Sequence, residues 1–247
     1  MPVLQVCNVS KSFENEKIID NISLELHEGE IVSLLGVSGG GKTTLFNIIA
    51  GLSTPDSGTV LLDDADVTGK PGNISYMLQK DLLLPYRTIA DNVALPLVIR
   101  GENKKNAREK AVCHFEDFGL QGTENKYPSQ LSGGMKQRAA LLRTYLFSEK
   151  VALLDEPFSA LDMLTKSSVH KWYLDVMEKI KLSTLFITHD VDEAILLSDR
   201  IYLLTGKPGT LTKEIVIREP KPRRKDFNIS EAFLNYKREI IAHLETH

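Results

Sequence analysis

The stretch Gly36-Val37-Ser38-Gly39-Gly40-Gly41-Lys42-Thr43 carries the G-x-x-x-x-G-K-[ST] spacing that a chain uses to wrap a phosphate. Its glycines let backbone N–H groups turn inward as an anion nest, and the helix that such a loop opens adds positive potential at its start. Lys42 supplies a point charge for β and γ phosphates, Thr43 offers a hydroxyl to Mg²⁺, and Thr44 extends the same cofactor-binding run. The flanks fit the motif: Ile31-Val32-Ser33-Leu34-Leu35 is an apolar run of strand length, and Thr43 to Ala50 has helical spacing that Gly51 stops. A glycine-rich turn beside a surface lysine is the plain alternative, and it leaves those flanks unexplained. A nucleoside triphosphate site with Mg²⁺ is predicted.

Phosphate grip is shared by kinases, GTPases and motor ATPases, so other residues must decide the reaction. Leu153-Leu154-Asp155-Glu156 puts two acids at the end of a second apolar run, where Asp155 can hold Mg²⁺ through water and Glu156 can reach an attacking water. A transferase would have to exclude that water, so hydrolysis is expected; two surface acids in a strand-to-helix turn are the alternative. Upstream, Leu131-Ser132-Gly133-Gly134-Met135-Lys136-Gln137-Arg138 opens a helix through Ala139-Ala140-Leu141-Leu142. Its hydroxyl and paired glycines read either as a second anion site or as a simple helix cap. Two phosphate-grade helix starts in one chain make sense if two chains meet head to tail, with ATP between them. His189, after the apolar run Thr184-Leu185-Phe186-Ile187, reads by itself as a satisfied core histidine.

These residues need a frame to hold them. Buried apolar runs separated by helical stretches argue for a parallel α/β sheet. Before it, Leu4 to Leu35 alternates apolar and polar residues in short pieces, as in Ile22-Ser23-Leu24-Glu25-Leu26, and reads as a small β meander. Between Thr88 and Phe147 the period turns helical, which suggests an inserted lobe. The chain closes with a hairpin-like Thr210 to Ile217 and a link from Arg218 to Lys225 that reads as solvated. A last amphipathic helix carries Phe233, Tyr236, Ile240 and Leu244 on one face, with Ser230 as its cap. Trp172 and Tyr173, between Val169 and Val176, read as core.

Length and composition set the bounds. The 247 residues carry 30 Lys+Arg and 33 Asp+Glu, a net charge of -3 that leaves no basic footprint, so no nucleic-acid partner is expected. Hydrophobic residues at 42% and charged residues at 26% are those of a folded domain. Cys7 and Cys113 have no metal-ligand spacing and suit a reducing compartment. The start Met1-Pro2-Val3-Leu4-Gln5 lacks the pattern of a signal peptide, and the apolar run Val93 to Ile99 is short and broken by Pro96. A cytoplasmic chain is expected, with any membrane role peripheral.

Taken together the motifs resemble, in fixed order and over essentially the whole chain, those of ATP-binding cassette (ABC) ATPases. Leu131 to Arg138 resembles the family's signature loop, with Ser132, Gly133 and Gly134 implied to bind nucleotide. Phe13 in Lys11-Ser12-Phe13 resembles the aromatic that stacks on adenine, and Gln79 in Met77-Leu78-Gln79 the glutamine that links Mg²⁺ to a membrane partner. Ser159-Ala160-Leu161-Asp162 resembles the loop that touches the opposite subunit, and His189 the switch histidine near the γ phosphate. The implied catalytic set is Glu156, His189 and Gln79, and the implied Mg²⁺ set Thr43, Gln79 and Asp155. The resemblance implies a P-loop NTPase (RecA-like) core with an antiparallel β subdomain over 1–86 and 148–216, and a helical subdomain over 87–147. Residues 217–247 form the C-terminal link and helix.

Within the family two classes compete: the energy subunit of a membrane importer, and a soluble ATPase acting on nucleic acid or the ribosome. The interval from Gly41 to Ser132 has no room for the long coiled coil of DNA-repair members, and one set of motifs differs from the paired cassettes of translation factors. An importer subunit is expected, as a homodimer sandwiching two ATP, with integral-membrane permease subunits and, indirectly, a periplasmic or lipoprotein solute-binding protein. The permease would insert a short helix near Leu82, Leu83, Leu84 and Tyr86. Leu84-Pro85-Tyr86, Asp91 to Leu97 and Gly206-Lys207-Pro208-Gly209 resemble the nitrate, sulfonate and taurine importer branch, whose relatives take up vitamin precursors. That branch usually has Trp where Tyr86 stands and Gln where Lys136 stands.

Overall fold

The computed structural model describes residues 1–247 except 38, 149, 160, 225 and 247, and the backbone alone at Met163 and Leu164. Ser38 of the phosphate loop, Ala160 and the last residue of the basic link therefore lie outside the described residues. The chain opens on β1 (Pro2–Phe13) and β2 (Glu16–His27), an antiparallel pair that turns at Glu14 and Asn15, both at positive φ as a tight hairpin requires. It continues with β3 (Ile31–Gly36), α1 (Lys42–Ile49), β4 (Ser57–Leu62), β5 (Ala65–Asp66) and β6 (Ser75–Met77). A helical stretch follows with α2 (Ile89–Val93), α3 (Leu95–Ile99), α4 (Lys104–Cys113) and α5 (Gly133–Phe147). The remainder alternates β7 (Val151–Asp155), α6 (Met163–Ile180), β8 (Ser183–Thr188), α7 (Val191–Leu197), β9 (Arg200–Thr205), β10 (Thr210–Val216) and α8 (Glu231–Thr246).

The strands form two sheets. A four-stranded antiparallel sheet has the order β2-β1-β4-β5, and a six-stranded sheet the order β10-β9-β3-β8-β7-β6, parallel except for β10. Burial on both faces explains why β3, β7 and β8 read as continuous apolar runs. Val32, Leu34, Val151, Leu153, Leu185 and Ile187 face α1 and the antiparallel sheet, while Ala152, Leu154 and Phe186 between them face α6 and the helical stretch. α1 is thus clamped between sheets through Leu45, Phe46, Ile48 and Ile49.

Several elements differ from their sequence reading. The first stretch is not a self-contained meander, because β3 leaves for the parallel sheet and β4 and β5 complete the antiparallel one. β6 and β9 are strands the apolar runs did not mark. The basic link is no free tether: Lys221 pairs with Asp199 at 2.7 Å, Arg223 donates to the Ser198 carbonyl, and its guanidinium lies over the Phe227 ring. Burial lowers the pKa of both cations. α8 does dock as its stripe suggests, with Phe233 and Ile240 buried and the Phe233 N–H bonded to Ser230 Oγ at 3.2 Å. Val169, Tyr173 and Val176 are core, and Trp172 packs against them beneath the Arg138 guanidinium.

Candidate nucleotide site

Parallel strands deliver their carboxyl ends to one edge of a sheet, and in such folds that edge is where ligands bind. Here β3 ends in the phosphate loop, β7 in Asp155 and Glu156, β8 in His189, and β6 leads through Leu78 to Gln79. The register aligns them: Leu35 lies opposite Thr188, Asp155 opposite Ile187, and Met77 opposite Leu154.

The phosphate loop is shaped by its neighbours. Gly41, the N-cap of α1, has φ 90°, and a Cβ there would lie 2.4 Å from Ile19 Cγ2. Gly209 presses from behind, so close that a Cβ on it would sit 2.2 Å from the Gly40 carbonyl oxygen; its N–H bonds to Ile18 O and its own carbonyl accepts from Asp20 N. The segment Gly206 to Gly209, which the sequence offered only as a branch mark, is thus a wall of the loop. Lys42 is 7% exposed and donates to the carbonyls of Gly36 at 2.8 Å and Val37 at 2.7 Å. Burial lowers its pKa, opposed by the charges of Glu156 and Asp155.

Asp155 faces that lysine. Burial raises its pKa, against a hydrogen bond from the Tyr76 hydroxyl at 3.3 Å, another from Thr43, and the charge of Lys42. Tyr76 comes from β6 and packs edge-on against Phe46. No sequence signal marked it, because its role depends on β6 pairing with β7.

Glu156 stands at φ 46°, an unusual conformation for a residue with a side chain and one found at functional sites. Its N–H is anchored to the Ile187 carbonyl and its own carbonyl accepts from Ser159 Oγ. One carboxylate oxygen meets His189 Nδ1 at 3.1 Å and the other accepts from Gln79 Nε2 at 3.1 Å. Glu156, His189 and Gln79, read separately from the sequence, therefore touch. They line an open cavity with Ser159 and Gln137, and the buried amide oxygen of Gln137 has no hydrogen-bond partner. Gln137, within the signature stretch and on α5, was given no role of its own by the sequence.

Ser132, Gly133 and Gly134 lie elsewhere. Ser132 caps α5, accepting from Met135 N at 3.3 Å, so the simple cap reading is met in this chain. A Cβ on Gly133 would meet Leu161, and one on Gly134 would meet Val169 and Thr165; neither would meet the loop of Lys42. Phe13 ends β1 with its ring 50% exposed beneath Lys11 Nζ.

A second feature adjoins the site. Leu52, Ile74, Leu82, Leu95, Ile99 and Phe147 line a largely apolar groove of about 420 Å³ where the parallel sheet meets the helical stretch. Of the four residues that the sequence offered, Leu82 lines this groove, Leu84 and Tyr86 lie outside its lining, and Leu83 is buried in the helical core. Arg143 of α5 donates to the carbonyls of Asp81 and Leu82, holding the segment after Gln79 against the helix that the signature opens. Among the described residues no helix is long and apolar enough to cross a membrane.

Known proteins agree with this geometry. A family described as ABC transporter matches residues 19–159. The formylaminopyrimidine import ATP-binding protein ThiZ of Halalkalibacterium halodurans is 49% identical over 84% of this chain and 81% of its own length. The nitrate import ATP-binding protein NrtD of Synechocystis is 36% identical over 96% of this chain and 93% of its own. Among solved structures, the dimeric post-hydrolysis state of the ATP-binding cassette MJ0796, bound to ADP and Pi, superposes with a TM-score of 0.72 at 29% identity, over 87% of this chain and 99% of that one. With a phosphate loop, an acid pair and a signature on this frame, and relatives matched along nearly their whole length, the chain belongs to the ABC transporter family as an ATP-binding cassette.

Proposed function

We propose that the chain is the ATP-hydrolysing energy subunit of a membrane importer for a small solute of the nitrate, sulfonate, taurine or vitamin-precursor class. The meeting of Glu156 with His189 and Gln79 beside Lys42 and Asp155 supports hydrolysis, and the likeness to import ATP-binding proteins supports the importer. Gly36, Gly39, Gly40, Gly41, Lys42, Thr43 and Thr44 cradle the phosphates, and Phe13 presents its open ring to adenine. Glu156 takes a proton from water as that water's oxygen bonds to the γ phosphorus; the bond to the bridging oxygen breaks and ADP leaves with the electron pair. His189 orients the carboxylate from one side and Gln79 from the other.

The residues present fit Mg²⁺. The Thr43 hydroxyl and the buried Asp155 carboxylate are hard oxygen donors in hydrogen-bonding contact, and Gln79 follows β6, the strand paired with β7. When bound, Mg²⁺ supplies charge neutralisation to the phosphates.

Ser132, Gly133 and Gly134 complete the site of a second copy, a reading that the exposure of Ser132 and Gly133 at the start of α5 supports. The groove beside Leu82 receives a permease segment on the cytoplasmic membrane face, and a solute-binding protein acts upstream of that permease. The ATPase core with its β subdomain corresponds to 1–86 and 148–216, the helical subdomain to 87–147, and the C-terminal unit to 217–247. Solute import by reconstituted vesicles, with Glu156→Gln as control, tests the reading. Transport must stop in the variant; transport without hydrolysis contradicts it.

A further inference from the structure

Directly behind His189 lies a buried polar cluster that neither the motifs nor the relatives' names address. Glu193 of α7 is 3% exposed, yet its carboxylate meets three side chains from two other elements. It accepts from Thr188 Oγ1 at the end of β8, meets His170 Nε2 of α6 at 3.0 Å, and faces Lys166 Nζ one turn earlier at 3.5 Å. Lys166 also pairs with Asp190 at 2.9 Å. Asp190 in turn donates its N–H to Thr188 Oγ1 at 3.0 Å, and its side chain accepts from the N–H groups of Asp192 and Glu193. The residues on both sides of His189 are thus tied to one carboxylate, directly by Thr188 and through Lys166 by Asp190.

The same carboxylate holds the start of α6. Lys166 and His170 are four residues apart, so they share one face of that helix. The helix is capped by Asp162, at the end of the loop that begins with Ser159 beneath Glu156. His170 is also braced edge-on at 4.8 Å by Phe158, the residue before that loop. A buried carboxylate is costly unless paired and hydrogen-bonded, and this one has its partners on the two elements that frame Glu156.

We propose that Glu193 is a positioning residue for hydrolysis, fixing His189 and the first turns of α6 in one arrangement around Glu156. It touches no reacting atom and acts through Thr188, Lys166 and His170. The inference rests on the proposed role of His189, and the test keeps the two apart.

Glu193→Gln keeps the volume and one acceptor but removes the charge that Lys166 and His170 face. In the full chain, kcat for ATP should fall about tenfold or more while KM and nucleotide affinity change by about twofold at most, the split of a lost transition-state arrangement. The ring resonances of His189 in ¹⁵N spectra should move, and Glu193→Asp should recover part of the rate. If Glu193→Gln does not fold, Thr188→Val removes the link to β8 and must show the same kcat loss. Full kcat in a folded Glu193→Gln, with His189→Ala inactive, overturns the positioning role alone. Full kcat in His189→Ala overturns the proposed site and this inference with it.

Discussion

Lys42 carries the most direct claim at the scale of single residues. Its ammonium is held over the phosphate loop by two carbonyls, ready to exchange them for phosphate oxygens. Lys42→Ala should abolish ATP binding in calorimetric titration, and unchanged affinity would remove the loop from the site. Tyr76 permits a subtler test. Burial raises the pKa of Asp155 and the Tyr76 hydroxyl opposes it by stabilising the ionised carboxylate. Without that hydroxyl the carboxylate protonates more easily, so Tyr76→Phe should move the acid limb of the ATPase pH profile to higher pH. An acid limb that stays in place would show that the phenol does not control Asp155. The two residues also differ in legibility. Lys42 announces itself by spacing, because a phosphate grip is local in sequence; Tyr76 meets Asp155 only through the pairing of β6 with β7.

At the scale of elements the buried strands are readable, since β3, β7 and β8 are buried along their length, largely apolar, and end at the residues proposed to carry the chemistry. β6 has only three residues, too few for any period. The wall that Gly209 makes behind Gly40, and the ties of Lys221 and Arg223 to Asp199 and Ser198, join positions far apart in the chain and leave no local mark. α5 is the element with most at stake. It opens with the signature, and Arg143 near its other end holds the carbonyls of Asp81 and Leu82, two and three residues beyond Gln79. Arg143→Lys keeps the charge but loses the fork that reaches both carbonyls. In the assembled transporter Gln79→Ala and Arg143→Lys should both weaken stimulation by the permease while leaving ATP affinity unchanged. Stimulation at the normal level in reconstituted vesicles would mean that this segment does not carry the coupling.

One chain taken whole keeps the proposed phosphate site and the signature apart. Lys42, Asp155, Glu156, His189 and Gln79 share an edge of the parallel sheet, while Ser132 and Gly133 are exposed at the start of α5, with Gly134 packed on α6. A second copy facing head to tail would bring its signature to the first copy's phosphates. The most direct measurement uses Glu156→Gln, which keeps the shape of the side chain but removes a base of a kind worth about 10²–10⁴ in rate. Size-exclusion chromatography with light scattering should report this variant as a dimer in Mg-ATP and a monomer in ADP, with ATP held uncleaved between the copies. Adding Ser132→Arg puts a bulky cation where the opposing loop must approach, so the dimer should vanish although each chain still binds ATP. An ATP-dependent dimer that survives in the double variant would contradict the shared site and leave Ser132 as a helix cap.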